Sequence, residues 1–160
     1  MGLSSLSKTT DLEQVPGAQT VDQTANMPQF SVIGFYGVAV LFNICLSIQV
    51  LTVGLAYFAD TIWWQTHSWL VRGYSGLAFV LLVWAYVLPF SQRIRLLTVI
   101  MVILLGCQFL TIHWHPSFLP LPLAIGHPFI GFSLVSVSST LVHRVWRMVS
   151  PKQTTEINSI

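Results

Sequence analysis

The chain has 160 residues, of which 54% are hydrophobic and only 8% are charged, and its formal net charge at pH 7 is +2. Soluble domains contain about 25% charged residues, so this composition excludes a water-soluble globular fold. It also excludes nucleic-acid binding, which needs a clustered basic surface. The main solvent of this protein is predicted to be a lipid bilayer.

Residues 1–29 are rich in Ser, Thr, Gln and Asp and lack the apolar core of a signal peptide. We therefore predict that they form a disordered cytoplasmic tail. Residues 150–160 are similarly polar and are predicted to form a second cytoplasmic tail. Residues 30–149 then make up the transmembrane domain.

Four apolar stretches lie between the tails, at about 30–59, 63–90, 94–112 and 121–142. Each has about the 20 residues that a helix needs to cross roughly 30 Å of hydrocarbon at about 1.5 Å per residue. The alternation typical of a β-barrel is absent, so the backbone must satisfy its hydrogen bonds within helices. The sequence predicts an all-α fold, a four-transmembrane-helix up-down bundle.

The orientation of this bundle follows from its cations. With four spans, both termini and the turn between spans two and three lie on one side of the membrane. Six of the seven Lys and Arg residues lie on that side: Lys8, Arg93, Arg95, Arg144, Arg147 and Lys152. Cationic loops remain in the cytoplasm, so we predict a multi-pass protein of the bacterial cytoplasmic membrane with both termini cytoplasmic.

Two histidines are predicted to face each other near the outer surface. His67 enters span two, and His127 precedes Pro128, a residue favoured in the first turn of a helix, at the start of span four. Spans two and four are diagonal partners in an up-down bundle. The pair could ligate a haem iron from both faces. Alternatively, both histidines are interfacial polar anchors or partners of other helices, or serve another metal-linked or proton-linked role.

Three further residues could support a ligand at this level. Gln108 lies about one turn below the end of span three, and Gly131 could make room for a macrocycle or for close helix packing. The Arg72 side chain could extend so that its guanidinium group reaches the outer lipid headgroups. It could also pair with Asp60 or bind an anion such as a haem propionate.

A second, weaker metal site is suggested by His113 and His115. In an extended backbone these two side chains would point the same way and could bind one divalent ion, whereas in a helix they would diverge. The alternative is that both are solvated histidines of the outer connection.

The order of several residues resembles a group of small, uncharacterised four-helix bacterial membrane proteins. Their recurring features are a Gln near the end of helix one, W-x-x-H entering helix two and H-P-x-x-G opening helix four. The resemblance covers about residues 35–147, and the residues that match it are Gln49, Gly54, Phe58, Trp64, His67, Gln108, His127, Pro128, Phe129, Ile130 and Gly131.

The arrangement is also similar, in part, to membrane b-type cytochromes, in which histidines of helices two and four hold haem across a four-helix bundle. This resemblance implies one haem b held by His67 and His127. Two-haem members have a second histidine about four turns further along each helix. Span two has Leu82, Val83 and Trp84 there, so a single haem on the outer side is the most that the resemblance implies.

We interpret these features as those of an integral membrane protein that binds one b-type haem near the outer face of the membrane. It would transfer electrons to or from quinone or another membrane redox protein. A second interpretation is a non-catalytic membrane subunit or scaffold without a cofactor, and a third is the outer-face histidine metal site. The sequence contains no Ser-His-Asp set, glycine-rich phosphate loop or paired carboxylates that would indicate a catalytic residue.

Overall fold

A computed structural model describes residues 29–113 and 123–150 of the protein. It contains α1 (Gln29–Phe58), α2 (Trp63–Val87), α3 (Gln92–His113) and α4 (His127–Val149), with a 3₁₀ helix, Leu123–Gly126, directly before α4. All four α-helices are long and apolar enough to cross a membrane. The predicted all-helical, multi-pass membrane fold is confirmed at this level. The predicted tails and the connection 114–122, which includes His115, lie outside the described residues.

Three helix boundaries differ from the sequence prediction by three residues or more. Helix α4 ends at Val149 rather than near 142, and proline explains the other two differences. Helix α2 ends at Val87 rather than near 90, because Leu88 precedes Pro89 and is extended, with φ −91° and ψ 152°. Helix α4 begins at His127 rather than near 121, with Pro128 in its first turn. His127 is therefore the first residue of α4.

The four helices pack in a ring. Helix α1 contacts α2 and α4, and α3 also contacts α2 and α4, so α2 and α4 lie diagonally across the bundle. The fully buried core includes Phe35, Phe42, Leu81, Met101 and Leu141. Many large apolar side chains cover the outside instead, among them Leu51, Phe79, Val83, Ile103 and Phe132. Such a surface would be a liability in water and suits contact with lipid.

The buried positions of the first helix pair recur in the second. Each buried residue of α1 between Phe35 and Thr52 has a counterpart 59 positions later in α3, and these counterparts are buried except for the half-buried Gln108. Four buried residues of α2 have buried counterparts 60 positions later in α4. The matched pairs are Phe35 and Ile94, Ala39 and Thr98, Phe42 and Met101, Leu46 and Leu105, Gln49 and Gln108, Thr52 and Thr111, then Tyr74 and Leu134, Ala78 and Ser138, Leu81 and Leu141, Ala85 and Val145. The α1–α2 pair and the α3–α4 pair thus have matching packing positions.

Candidate functional site: a histidine pair between diagonal helices

His67 of α2 and His127 of α4 lie next to each other across the bundle. The centroids of the two imidazole rings are 6.5 Å apart, and the ring planes make an angle of 57°. Both residues are half-buried. The edge of the Trp64 ring packs against His67, at 5.8 Å between centroids. The structure therefore brings together the two histidines that the sequence analysis paired.

Each histidine is held by a threonine of the preceding helix. Thr52 Oγ1 lies 3.1 Å from His67 Nδ1, and Thr111 Oγ1 lies 3.1 Å from His127 Nδ1. These contacts connect α1 to α2 and α3 to α4. Both threonines are buried, so the contacts are shielded from solvent.

The threonines also determine which ring nitrogen has the proton. Thr52 donates its hydroxyl hydrogen to the carbonyl oxygen of Gln49 at 2.7 Å, and Thr111 donates to that of Gln108 at 2.8 Å. A hydroxyl has one hydrogen, so toward its histidine each threonine can only accept. Nδ1–H of the neutral imidazole is therefore the donor. The lone pair remains on Nε2 in both rings.

Gln49 and Gln108 occupy equivalent places beside the two rings. Gln49 Nε2 donates to the backbone carbonyl of His67 at 3.0 Å, whereas Gln108 Nε2 lies 3.4 Å from His127 Nε2. The second contact is consistent with an amide N–H facing the Nε2 lone pair. The Oε1 atoms of both glutamines are buried and accept no hydrogen bond within the described residues. The centre of the site is therefore rich in electron-pair donors.

A cavity of about 190 Å³ lies beside the two histidines. Its walls come chiefly from α2 and α3: Ser68, Val71, Arg72, Tyr74, Phe109, Ile112 and His113, together with Gln49, Gln108 and both histidines. The exposed guanidinium of Arg72 lies 5.8 Å from the centroid of the Trp69 ring. Arg72 is thus part of this site, and within the described residues it forms no ion pair with Asp60. The Asp60 carboxylate instead accepts a hydrogen bond from the Ile62 backbone N–H.

The second predicted metal site is only partly within the described residues. His113 is the last residue of α3, and its Nδ1 lies 2.9 Å from the Phe109 carbonyl oxygen, so the ring binds its own helix. His115, its predicted partner, lies outside the described residues. In the described ranges, no group of three or more His, Cys, Asp or Glu residues could hold a metal ion.

Gly131 lies against the glutamine of this site. A Cβ atom at Gly131 would be 3.0 Å from Gln108 Nε2. The glycine thus permits close approach of α4 to the Gln108 amide, which agrees with the helix-packing alternative of the sequence analysis.

The threonines are the site residues that sequence reasoning missed. The signal for them is an internal repeat: Gln49-Val50-Leu51-Thr52 and Gln108-Phe109-Leu110-Thr111 are 59 positions apart, and each is followed by a histidine, 15 or 16 residues after its threonine. A search for self-similarity at this period would have found the Gln-x-Leu-Thr sequence together with its histidine.

Comparison with known proteins gives one similarity. The profile of a family of unknown function, DUF6220, matches residues 49–113, from Gln49 to His113. The matched range includes Thr52, His67 and Thr111. No curated protein and no solved structure matches the chain.

Proposed function

We propose that this membrane protein binds one b-type haem, with His67 and His127 as its two axial ligands. The observation that supports this proposal most directly is the distance of 6.5 Å between the two ring centroids. An iron–imidazole bond is about 2.0 Å long by analogy with zinc–imidazole bonds. A five-membered ring built from bonds of about 1.33 Å has its atoms about 1.1 Å from its centroid. Two rings on opposite faces of one iron would then have centroids about 6.3 Å apart.

The protonation of the rings favours the same interpretation. Metal-bound histidines usually donate their other N–H to an oxygen, which fixes the tautomer and the ring orientation. Thr52 and Thr111 accept from Nδ1, which leaves a lone pair on Nε2 of both rings. At His127 the Gln108 amide, 3.4 Å from Nε2, would have to move aside for an iron ion. The two imidazoles are therefore already in the form that a ligand to iron requires.

The number of ligands distinguishes haem from a bare metal ion. Structural and catalytic zinc sites need three or four protein ligands. The described residues offer two imidazoles here, and no third His, Cys, Asp or Glu joins them in a group that could hold a metal ion. A haem brings its own four equatorial nitrogens, so two axial histidines complete its coordination.

Haem also needs more room than the cavity of about 190 Å³ has, because pockets for drug-sized ligands begin at about 300 Å³. The neighbouring helices α2 and α3 form most of its wall and are the least extensively packed pair in the ring. Haem binding would therefore separate α2 from α3 and bring the propionates toward Arg72. The bound group would supply one-electron chemistry, with a potential set by axial ligation and burial.

The proposal includes an orientation and a partner. We propose an up-down arrangement with both termini in the cytoplasm, which would put the histidine pair near the outer face of the bacterial cytoplasmic membrane. The cations at the opposite end of the bundle support this orientation. A redox group at that depth would exchange electrons with quinone or another membrane redox protein.

A second candidate function is a membrane subunit or scaffold without a cofactor. The specific observation in its favour is that each histidine connects two helices through a threonine. Hydrogen bonds between transmembrane helices contribute about 0.6 kcal/mol each on average. In this alternative the pair stabilises the bundle and the Nε2 atoms have no ligand.

An absorption spectrum separates the two functions. The detergent-purified protein, expressed with haem available, is expected to show the sharp reduced-state bands of low-spin bis-imidazole haem. His67→Ala and His127→Ala should each abolish or convert this spectrum, because each removes one axial ligand.

His113→Ala is the matched control, since His113 lines the cavity but binds its own helix. It should leave the spectrum nearly intact, and His115→Ala is expected to do the same. A wild-type protein that folds with four helices yet takes up no haem would reject the haem proposal and favour the cofactor-free subunit.

A further inference from the structure

A larger cavity lies at the other end of the bundle, between the start of α3 and the end of α4. Its volume is about 470 Å³. Ser91 and Ile94 line it from the α3 side, and α4 contributes Thr140, His143, Arg144, Arg147 and Met148. None of these residues contributes to the histidine pair. This cavity, which we name the basic cavity, is therefore a separate feature.

No acidic residue within the described ranges lies near the positive charge of the basic cavity. Arg144 and Arg147 both line it, and Asp60 is the one acidic residue within 29–113 and 123–150. Asp60 follows α1 and lies at the histidine end of the bundle. Two exposed arginines that line one cavity, with no carboxylate at that end among the described residues, attract an anion.

Arg95, another arginine at this end of the bundle, binds backbone carbonyls instead of lining the basic cavity. Arg95 donates from Nε to the carbonyl oxygen of Ala85 and from Nη2 to that of Leu88. It thereby satisfies carbonyls at the C-terminal end of α2, which have no partners within the helix. Arg95 is thus used for capping, whereas the arginines of α4 make no such hydrogen bond within the described residues.

We propose that the basic cavity binds a phosphate group, with Arg144 and Arg147 as its principal ligands and the headgroup of an anionic phospholipid as its natural source. Guanidinium groups bind phosphate through paired N–H donors. The hydroxyls of Ser91 and Thr140 line the same cavity and can add neutral donors.

The walls of the basic cavity favour a lipid over a free anion. Ile94 and Met148 give it an apolar side. It opens at the end of a bundle whose outer surface is largely apolar, so the glycerol and acyl chains of a bound lipid would continue along that surface. Basic pockets between transmembrane helices bind anionic headgroups in this way.

The test titrates the full-length protein in neutral detergent with three probes and counts adducts by native mass spectrometry. The probes are short-chain phosphatidylglycerol, a phosphate-free glucosyl diacylglycerol with the same chains, and inorganic phosphate. Phosphatidylglycerol should bind in preference to the glycolipid. Arg144→Gln and Arg147→Gln should each weaken its binding about tenfold, since each removes a charge-assisted hydrogen bond.

Arg93→Gln is the matched control, because Arg93 is exposed at the same end of the bundle but does not line the basic cavity. It should leave phosphatidylglycerol binding unchanged. If inorganic phosphate binds with the same dependence on Arg144 and Arg147 and competes with the lipid, the site takes phosphate from either source. If only the lipid binds, the site is specific for a headgroup.

Two outcomes would overturn the proposal. One is equal binding of the glycolipid and phosphatidylglycerol, and the other is an equal loss of binding in Arg93→Gln and in the α4 variants. Either would show that the arginines act only as diffuse surface charge. Because the basic cavity and the histidine pair share no residue, failure here leaves the haem proposal intact, and the reverse also holds.

Discussion

The hydroxyl groups of two buried threonines determine the chemistry of the histidine pair. Thr52 donates to a carbonyl of its own helix and accepts from His67 Nδ1, and Thr111 does the same for His127. A threonine at a helix interior often donates to a carbonyl of its own preceding turn. Here that bond also converts the hydroxyl into an acceptor for the neighbouring helix.

Replacing Thr52 by Val should remove this acceptor without changing the shape of the side chain. The Nδ1–H of His67 would lose its partner, and we expect the free energy of unfolding to fall by about 0.6 kcal/mol, the average for one hydrogen bond between transmembrane helices. His67 should also shift toward the Nε2–H tautomer. Chemical unfolding in detergent measures the first effect, and ¹⁵N NMR of histidine-labelled protein measures the second.

Thr52→Ser is the control, because it keeps the hydroxyl and should restore the Nδ1–H tautomer. His127 should be unaffected by either change, since its partner is Thr111. A valine variant with an unaltered His67 tautomer would mean that the threonine does not control the proton.

The positions of these residues illustrate what sequence alone could predict at the residue scale. His67 and His127 stand out because ionisable residues are rare in apolar spans. Thr52 does not stand out, because threonine is common in transmembrane helices and its role depends on the angle at which α2 packs against α1. That angle depends on side-chain packing along both helices, which hydropathy does not contain.

At the scale of the helices, hydropathy predicted the existence and order of the four spans. Prolines set two of their boundaries, the end of α2 and the start of α4. From the sequence, Pro128 is expected in the first turn of span four. The structure has a 3₁₀ turn that ends at Gly126 and a helix that begins at His127. The repeat of buried positions at an interval of about 60 was present in the sequence, but period-3.6 patterns within single helices do not reveal it.

The packing of α4 against α3 depends on the absence of a side chain at Gly131. In Gly131→Ala, the new Cβ would lie 3.0 Å from Gln108 Nε2, so the flexible Gln108 side chain should move away from His127. The free energy of unfolding should change by less than about 1 kcal/mol, since the end of a flexible side chain can yield. The ¹⁵N signal of His127 Nε2 should shift, because its amide neighbour has moved.

Gly76→Ala is the matched control for this change. Gly76 lies within α2, and a Cβ atom there would meet nothing within 4 Å. Alanine at this position should leave the His127 signal unchanged and should stabilise the helix by up to about 1 kcal/mol. Identical NMR spectra for Gly131→Ala and the wild type would contradict the proposed contact.

At the scale of the whole molecule, the two ends of the bundle have opposite chemical character. One end contains the two imidazoles with Nε2 lone pairs and the amide oxygens of Gln49 and Gln108, which accept no hydrogen bond from the described residues. The other contains the basic cavity with Arg144 and Arg147. The positive-inside rule depends on this difference in charge between the two ends of the bundle. It predicts that the end with the basic cavity is cytoplasmic and that the end with the histidine pair is external.

The orientation can be tested with reporters on the full-length chain. Because the cations of residues 91–95 and of the end of α4 lie at one end, we expect reporters fused to either terminus to be cytoplasmic. A reporter inserted between Ser117 and Pro120 should be external. Alkaline phosphatase, active only outside the cytoplasm, and a fluorescent protein that folds inside it give opposite signals at each position. The reverse pattern would place the histidine pair near the cytoplasmic face and the basic cavity at the outer surface, where a cluster of arginines would violate the charge rule.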